Sequence, residues 1–277
     1  MTDQLTINPR RFSANCSILF TELPVLERPA AARAAGFAAV EFWWPFDTAV
    51  PSAREVQAFA DAVADANVEL ASLNTYGGDL PGGDRGIASW PARTPEFLAN
   101  LEIAVPLAER LNCAVLNVLY GRRMPGADGA EQDDVAADNL AHAARAAAAI
   151  DATVVIEPLS AVADFPLRTA ADVVAVIDRM GEPNVGLLAD LYHLSVNGDD
   201  VHHVIRRHAD RIAHVQLADA PGRIEPGRGR LPIGDYLHEL IAAGYGGRIG
   251  LEYVPEVATN DSLRWWAGLR SRNEQST

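Results

Sequence analysis

What the chain has little of closes several protein classes to it. Cysteine occurs twice in 277 residues, at Cys16 and Cys113, with neither a CxxC nor a Cys/His spacing around either. That excludes a disulfide framework. Both sit in strand-like surroundings, Ser13-Ala14-Asn15-Cys16-Ser17-Ile18 and Cys113-Ala114-Val115-Leu116, and are expected as buried free thiols. No apolar run reaches the roughly 18 residues that a membrane span needs. Met1 to Arg11 is polar, without the apolar stretch that directs secretion. A soluble cytoplasmic protein with no membrane partner is expected. Cations are scarce as well: 23 Lys and Arg face 37 Asp and Glu, a net charge of −14. So acidic a surface repels phosphate backbones and anionic lipid, which argues against nucleic acid as a partner.

What is present is apolar material. The chain is 49% hydrophobic with mean hydropathy near zero, enough for a large core and unlike a disordered, collagenous or coiled-coil sequence. At roughly 150 residues per domain the length gives one or two domains, and barrels often run longer as one. Short β-branched runs predict strands near Phe12–Phe20, Ala39–Trp43, Val68–Leu73, Ala114–Leu119, Thr153–Glu157, Val185–Leu191, Ile212–Leu217 and Ile249–Tyr253. Between them apolar residues take helical spacing, as in Val56-Phe59-Ala60-Val63 and Val173-Val174-Val176-Ile177. Gly36 and Gly244 stand where a helix should end before the next strand.

Eight strands alternating with helices, about 25 to 40 residues apart, predict an α/β fold of the (β/α)8 or TIM barrel type. A doubly wound open sheet is the rival, but no GxGxxG phosphate loop follows the first strand. The glycines from Gly77-Gly78 to Gly82-Gly83 read instead as a long loop over the barrel mouth. No linker or low-complexity segment divides the chain, so a single domain is expected, with about 11–268 in the barrel and 269–277 frayed.

Each of the last four strands closes with a polar residue after an apolar run: Glu157, Asp190, Gln216 and Glu252, spaced 33, 26 and 36 residues apart. That is one per repeat, so all four can point into one mouth. Three carboxylates and an amide oxygen cannot crowd there unpaired, and a divalent cation resolves the repulsion. All-oxygen ligation favours Mg2+ or Mn2+. The bland alternative pairs these groups with neighbouring loops or arginines. His193, three residues beyond Asp190, is expected in the following loop, as a substrate contact or a solvated histidine. His214 shares the parity of Gln216 and is expected to fill the core; His202 and His203 are expected to be solvated. Arg223, in the Pro/Gly-rich stretch Pro221-Gly222-Arg223, offers a forked cation to substrate oxygens or a tie to Asp219 or Glu225. Phe42-Trp43-Trp44-Pro45-Phe46 suits a pocket wall or outer-layer packing, and Trp265-Trp266 suits helix packing.

These residues also carry a resemblance. Phe12-Ser13-Ala14-Asn15-Cys16-Ser17, Ala35-Gly36-Phe37 through Glu41, Gly83-Asp84-Arg85-Gly86, Ile156-Glu157-Pro158, Asp190-Leu191-Tyr192-His193, His214-Val215-Gln216, Pro221-Gly222-Arg223 and Glu252-Tyr253 resemble the hydroxypyruvate isomerase family of xylose-isomerase-like barrels. The resemblance implies that Glu157, Asp190, Gln216 and Glu252 bind one divalent metal. It further implies that Glu157 and Glu252 exchange the substrate proton through a cis-enediolate, and that His193 and Arg223 hold substrate oxygens. Hydroxypyruvate would become tartronate semialdehyde. Departures occur at Ala189, where this family often has Tyr, at Val254, where it often has Lys, and in the loop Asn74-Thr75-Tyr76-Gly77; all lie near the mouth, where substrate identity is set. The alternatives are an isomerase or 3-epimerase of a longer sugar or keto sugar acid such as 2-oxo-tetronate, a non-catalytic sugar-acid binding barrel, and a DNA-repair endonuclease. The last would need more His ligands and a basic cleft. A small-molecule partner is expected, and self-association is left open.

Overall fold

Local chemistry decides where the strands stop. In the computed structural model, which describes residues 8–265, β1 (Phe12–Asn15) ends in a turn made by its last residue. The Asn15 side-chain oxygen accepts Ser17 N at 3.0 Å, and its carbonyl oxygen accepts Ile18 N and Leu19 N at 3.2 and 2.9 Å. A strand running to Phe20 is thereby cut short. The others are β2 (Ala39–Phe42), β3 (Glu69–Asn74), β4 (Val115–Asn117), β5 (Thr153–Ile156), β6 (Val185–Asp190), β7 (Ile212–Leu217) and β8 (Ile249–Leu251). Each pairs in parallel with the next, and β8 returns to β1 with Gly250 opposite Ser13, closing an eight-stranded barrel. The expected single-domain (β/α)8 fold is the one observed. Met1 to Ile7, Trp266 and the 269–277 tail lie outside the described residues.

Helices α1 (Arg28–Ala34), α2 (Ala53–Asp65), α3 (Thr94–Arg110), α4 (Gly129–Ala148) and α5 (Ala170–Met180) each follow the strand of the same number. After β6 come two, α6 (Leu191–Asn197) and α7 (Val201–His208); α8 (Ile233–Ala242) follows β7 and α9 (Thr259–Ser262) follows β8. Reciprocal caps start two of them, Ser52 with Glu55 on α2 and Thr169 with Asp172 on α5. Caps of this kind stabilise by about 1 kcal/mol each. Helix α2 buries the expected stripe of Phe59, Ala60 and Val63, and α5 buries Val173 and Ile177. Among the described residues no helix is long and apolar enough to cross a membrane.

Alternate residues of a strand face opposite sides. One set, including Ala14, Val40, Leu116, Ile156, Leu187 and Leu251, joins the apolar core. The other turns into the barrel and is polar: Ser13, Asn15, Glu41, Asn117, His214 and Gln216 are all buried. Hydrogen bonds from β2 to β7 cross between strands that are not neighbours, so they run through the barrel interior.

Candidate active site

Four polar side chains sit at the same end of four neighbouring strands because each ends or follows an apolar strand. Glu157 follows β5, Asp190 closes β6, Gln216 lies in the last turn of pleat of β7 and Glu252 follows β8. All four are buried. Asp190 and Gln216 are register partners across β6 and β7, and Gln216 pairs with Gly250 on β8. Carboxylate oxygens of Glu157 and Asp190 and a ring nitrogen of His193 lie within 4.8 Å of one another. A cavity of about 1130 Å³ opens here, lined by Glu157, His193, Arg223 and Glu252, and by Trp44 and Arg85.

Each glutamate is held by an asparagine from the adjoining strand. Asn117 Nδ2 donates to Glu157 Oε1 at 2.7 Å, and Asn15 Nδ2 to Glu252 Oε2 at 3.0 Å. Arg223 Nη2 donates to Glu252 Oε1, and to Asp190 Oδ2 at 3.3 Å. Burial, then the charges of Glu252 and Asp190, pushes the Glu157 carboxyl well above the usual carboxylate range. Burial raises Glu252 too, against the lowering pull of Arg223. For Arg223 itself burial opposes the charge, yet Glu252 and Asp190 hold the guanidinium protonated above its ordinary range. Two buried carboxyls lifted toward neutrality on one cavity can take and return a proton near pH 7.

Asp190 is also the N-cap of α6, its Oδ1 accepting Tyr192 N at 2.8 Å and His193 N at 3.2 Å. The helix starts one residue beyond the strand, so His193 falls one turn along and faces back over Asp190, with Nε2 at 3.6 Å from Oδ2. It lies in this helix rather than in a loop. Ser160 N donates to His193 Nδ1 at 3.1 Å, which leaves the ring proton on Nε2. Burial lowers the His193 pKa to about 4, so the ring is neutral at pH 7 and presents an N–H to the site.

The loop after β7 is built around Asp219. Its Oδ1 accepts Ala220 N and Leu231 N at 2.8 and 3.0 Å, and its Oδ2 accepts Gly227 N and Gly229 N, both at 2.9 Å. Asp219 is thereby committed to backbone, and Glu225 pairs with Arg228, so neither ties down Arg223. Arg223 sits at φ 56°, a left-handed conformation that costs a non-glycine residue on the order of 1 kcal/mol. Its carbonyl accepts Val254 N at 2.7 Å and its Nε donates to the Glu252 carbonyl at 3.1 Å, which fix the guanidinium over the two carboxylates.

Whether these residues suit a metal ion can be judged from Gln216. Its Nε2 donates to Glu41 Oε2 at 2.9 Å, while its buried Oε1 has no hydrogen-bond partner among the described residues. An orphaned amide oxygen beside mutually repelling carboxylates is an oxygen donor set for a hard divalent cation. The residues fit one.

Sequence reasoning gave no role to Asn15, Asn117, Glu41 or Arg85. Strand-end position was a signal for the two asparagines; a lone acid in Ala39-Val40-Glu41-Phe42 was the signal for Glu41. Trp43, Trp44 and Phe46 do line the cavity. His214 is buried, with Nε2 3.0 Å from Glu41 Oε1. His202 is half-buried against Tyr236, with Nδ1 2.9 Å from Glu239, rather than fully solvated. Both cysteines are free and buried, as expected.

A family model described as xylose isomerase-like TIM barrel matches residues 29–269. A Streptomyces coelicolor protein provisionally named as a hydroxypyruvate isomerase is 50% identical over 272 residues, covering 95% of this chain and 98% of the relative. The hydroxypyruvate isomerase of Escherichia coli is 33% identical, with 92% and 97% covered. The 2-oxo-tetronate isomerase of Cupriavidus necator is 36% identical, with 92% and 96% covered. A crystal structure from Brucella melitensis, described as an AP endonuclease of family 2, has a TM-score of 0.86 at 32% identity, with 94% and 98% covered.

Proposed function

The chain is an isomerase of the hydroxypyruvate isomerase family, within the xylose isomerase-like TIM barrels, and on that premise we propose that it interconverts a short 2-oxo acid and its 2-hydroxyaldehyde, with hydroxypyruvate and tartronate semialdehyde as the pair. The observation that carries this reading is the placement of Glu157 and Glu252 in one cavity, both with carboxyls raised by burial. One takes the proton from the hydroxyl-bearing carbon, and the other returns a proton to the neighbouring carbon as the carbonyl and hydroxyl exchange places. No external oxidant or reductant is consumed. His193 Nε2–H and Arg223 hold the substrate oxygens in the eclipsed arrangement that this exchange needs.

Glu157, Asp190, Gln216 and Glu252 would hold one Mg2+ or Mn2+. When bound, the ion would supply positive charge to offset the negative charge that grows on the substrate as the proton leaves.

The substrate carboxylate needs its own cation, and the chain contains no lysine. Among the described residues, the other two cavity arginines bond only to backbone carbonyls. Arg28 uses Nε and Nη1 in this way, whereas Arg85 uses Nη1 alone, bonding Leu80 O at 3.0 Å and Asp84 O at 2.5 Å. Arg85 therefore keeps a two-pronged edge for a carboxylate.

A longer 2-oxo acid such as 2-oxo-tetronate is the second reading, favoured by a cavity of about 1130 Å³, ample for more than three carbons. The deciding experiment follows deuterium uptake from heavy water by NMR, with Mn2+ present, into hydroxypyruvate, four-carbon 2-oxo acids and ketohexoses. Label entering a 2-oxo acid next to its carbonyl supports the proposal and ranks the two chain lengths. Label entering only ketohexoses would replace it with an epimerase, and cleavage of abasic DNA without any exchange would replace it with a nuclease.

A further inference from the structure

Glu41 is a buried carboxylate that neither the proton transfer nor the substrate contacts use. It stands on β2, yet its partners come from β1 and β7. Ser13 Oγ donates to its Oε1 at 2.5 Å, His214 Nε2 lies 3.0 Å from the same oxygen, and Gln216 Nε2 donates to its Oε2 at 2.9 Å. The side chain reaches so far because β8 carries Gly250 at this level. A Cβ there would fall 2.4 Å from Glu41 Oε2.

A carboxylate accepts hydrogen bonds, so Glu41 selects which end of the Gln216 amide faces it. The NH2 turns toward Glu41, and the carbonyl oxygen turns away into a buried position where, among the described residues, nothing bonds it. A buried acceptor left unpaired has lost its water and gained nothing in return. A cation removes that penalty. Glutamine is the side chain that meets both demands at position 216, a donor toward Glu41 and a neutral oxygen toward the ion. A glutamate would set two carboxylates against each other.

We infer that Glu41 is a positioning residue: through Gln216 Nε2 it aims Gln216 Oε1 at the divalent ion of the proposed site and so sets metal affinity. The inference rests on the metal-dependent reading above. Partners one shell out from a metal change its affinity by about 10–100-fold when removed.

The test is Mn2+ binding by calorimetry to the full chain stripped with EDTA. The parent should bind Mn2+, and Q216L should bind it more weakly. E41Q should bind about 10–100-fold more weakly than the parent, because an amide at position 41 accepts either end of Gln216. The exchanged pair E41Q/Q216E again sets a donor against a carboxylate and should bind more tightly than Q216E alone. Glu41 as mere filling would leave E41Q at parent affinity, and that result overturns the inference. Should E41Q fail to fold, the exchanged pair decides, since affinity no better than that of Q216E also overturns it. A parent that binds no Mn2+ removes the metal reading and this inference together. Weakened binding in Q216L with unchanged binding in E41Q removes this inference alone.

Discussion

Asn117 donates its side-chain amide to Glu157 Oε1 at 2.7 Å, in a place where burial favours the protonated acid. The bond favours the ionised form and fixes which oxygen of Glu157 remains available. N117A should lower kcat by about 10–100-fold, the worth of one hydrogen bond to a charged group at about 1.5–3 kcal/mol, and change KM less. Steady-state kinetics on both parameters checks this; a kcat within twofold of the parent contradicts it.

E157Q and E252Q each remove a proton-transferring group while keeping an oxygen and nearly the same volume. Either should lower turnover by about 10²–10⁴-fold at saturating Mn2+. Deuterium incorporation should fall in step with turnover. Near-parent rates in both variants would sink the assignment of the two glutamates.

The metal-free protein should lose stability as pH rises. Glu157 is raised from 4.5 in the unfolded chain to about 8 in the fold, so in that window the native state holds a proton that the unfolded state has released. Fewer protons on the unfolded chain mean that unfolding free energy decreases with pH. The stability is fully present below about pH 4.5 and is lost on approaching pH 8. In EDTA the midpoint of thermal unfolding should fall between about pH 6.5 and 8, above the range in which buried, neutral His193 contributes the opposite slope, and the slope should be shallower in E157Q. Mn2+ should reverse the slope, since it binds the ionised carboxylates. An EDTA slope equal in parent and variant would contradict this account.

R85M should raise KM for hydroxypyruvate by about 10–100-fold with little change in kcat, the signature of binding shared by ground and transition states. Exchange into a neutral triose should be unaffected. Equal KM values for parent and variant would move the carboxylate to another group.

G250A should destabilise the fold by about 1–3 kcal/mol, as overpacking does, because the new methyl meets the Glu41 carboxylate. Chemical denaturation measures the loss. Calorimetry on the same protein should show weaker Mn2+ binding, whereas intact affinity would mean that Glu41 can shift without disturbing Gln216.

The rim of the site was legible in the sequence because Glu157, Asp190, Gln216 and Glu252 each close an apolar run once per repeat, a pattern that needs only local spacing. Glu41 was not, for its partners are 28, 173 and 175 residues away and come together only when the barrel closes. Asn15 and Asn117 end their strands as visibly as the acids do, but asparagine at a strand end is also ordinary turn chemistry, and Asn15 serves both purposes. The helical setting of His193 was hidden by the double part of Asp190, at once the last residue of a strand and the cap of a helix. Arg85 sits in a loop whose course no periodicity reports.

Much of the cavity wall comes from two separate stretches of chain. Glu157, His193, Arg223 and Glu252 come from the segments after β5 to β8, whereas Trp43, Trp44, Tyr76 and Arg85 come from those after β2 and β3. Mutations between residues 43 and 85 can therefore reshape what enters without displacing any group in the later stretch. Substrate preference can drift within the earlier stretch while the residues that exchange the proton are inherited unchanged.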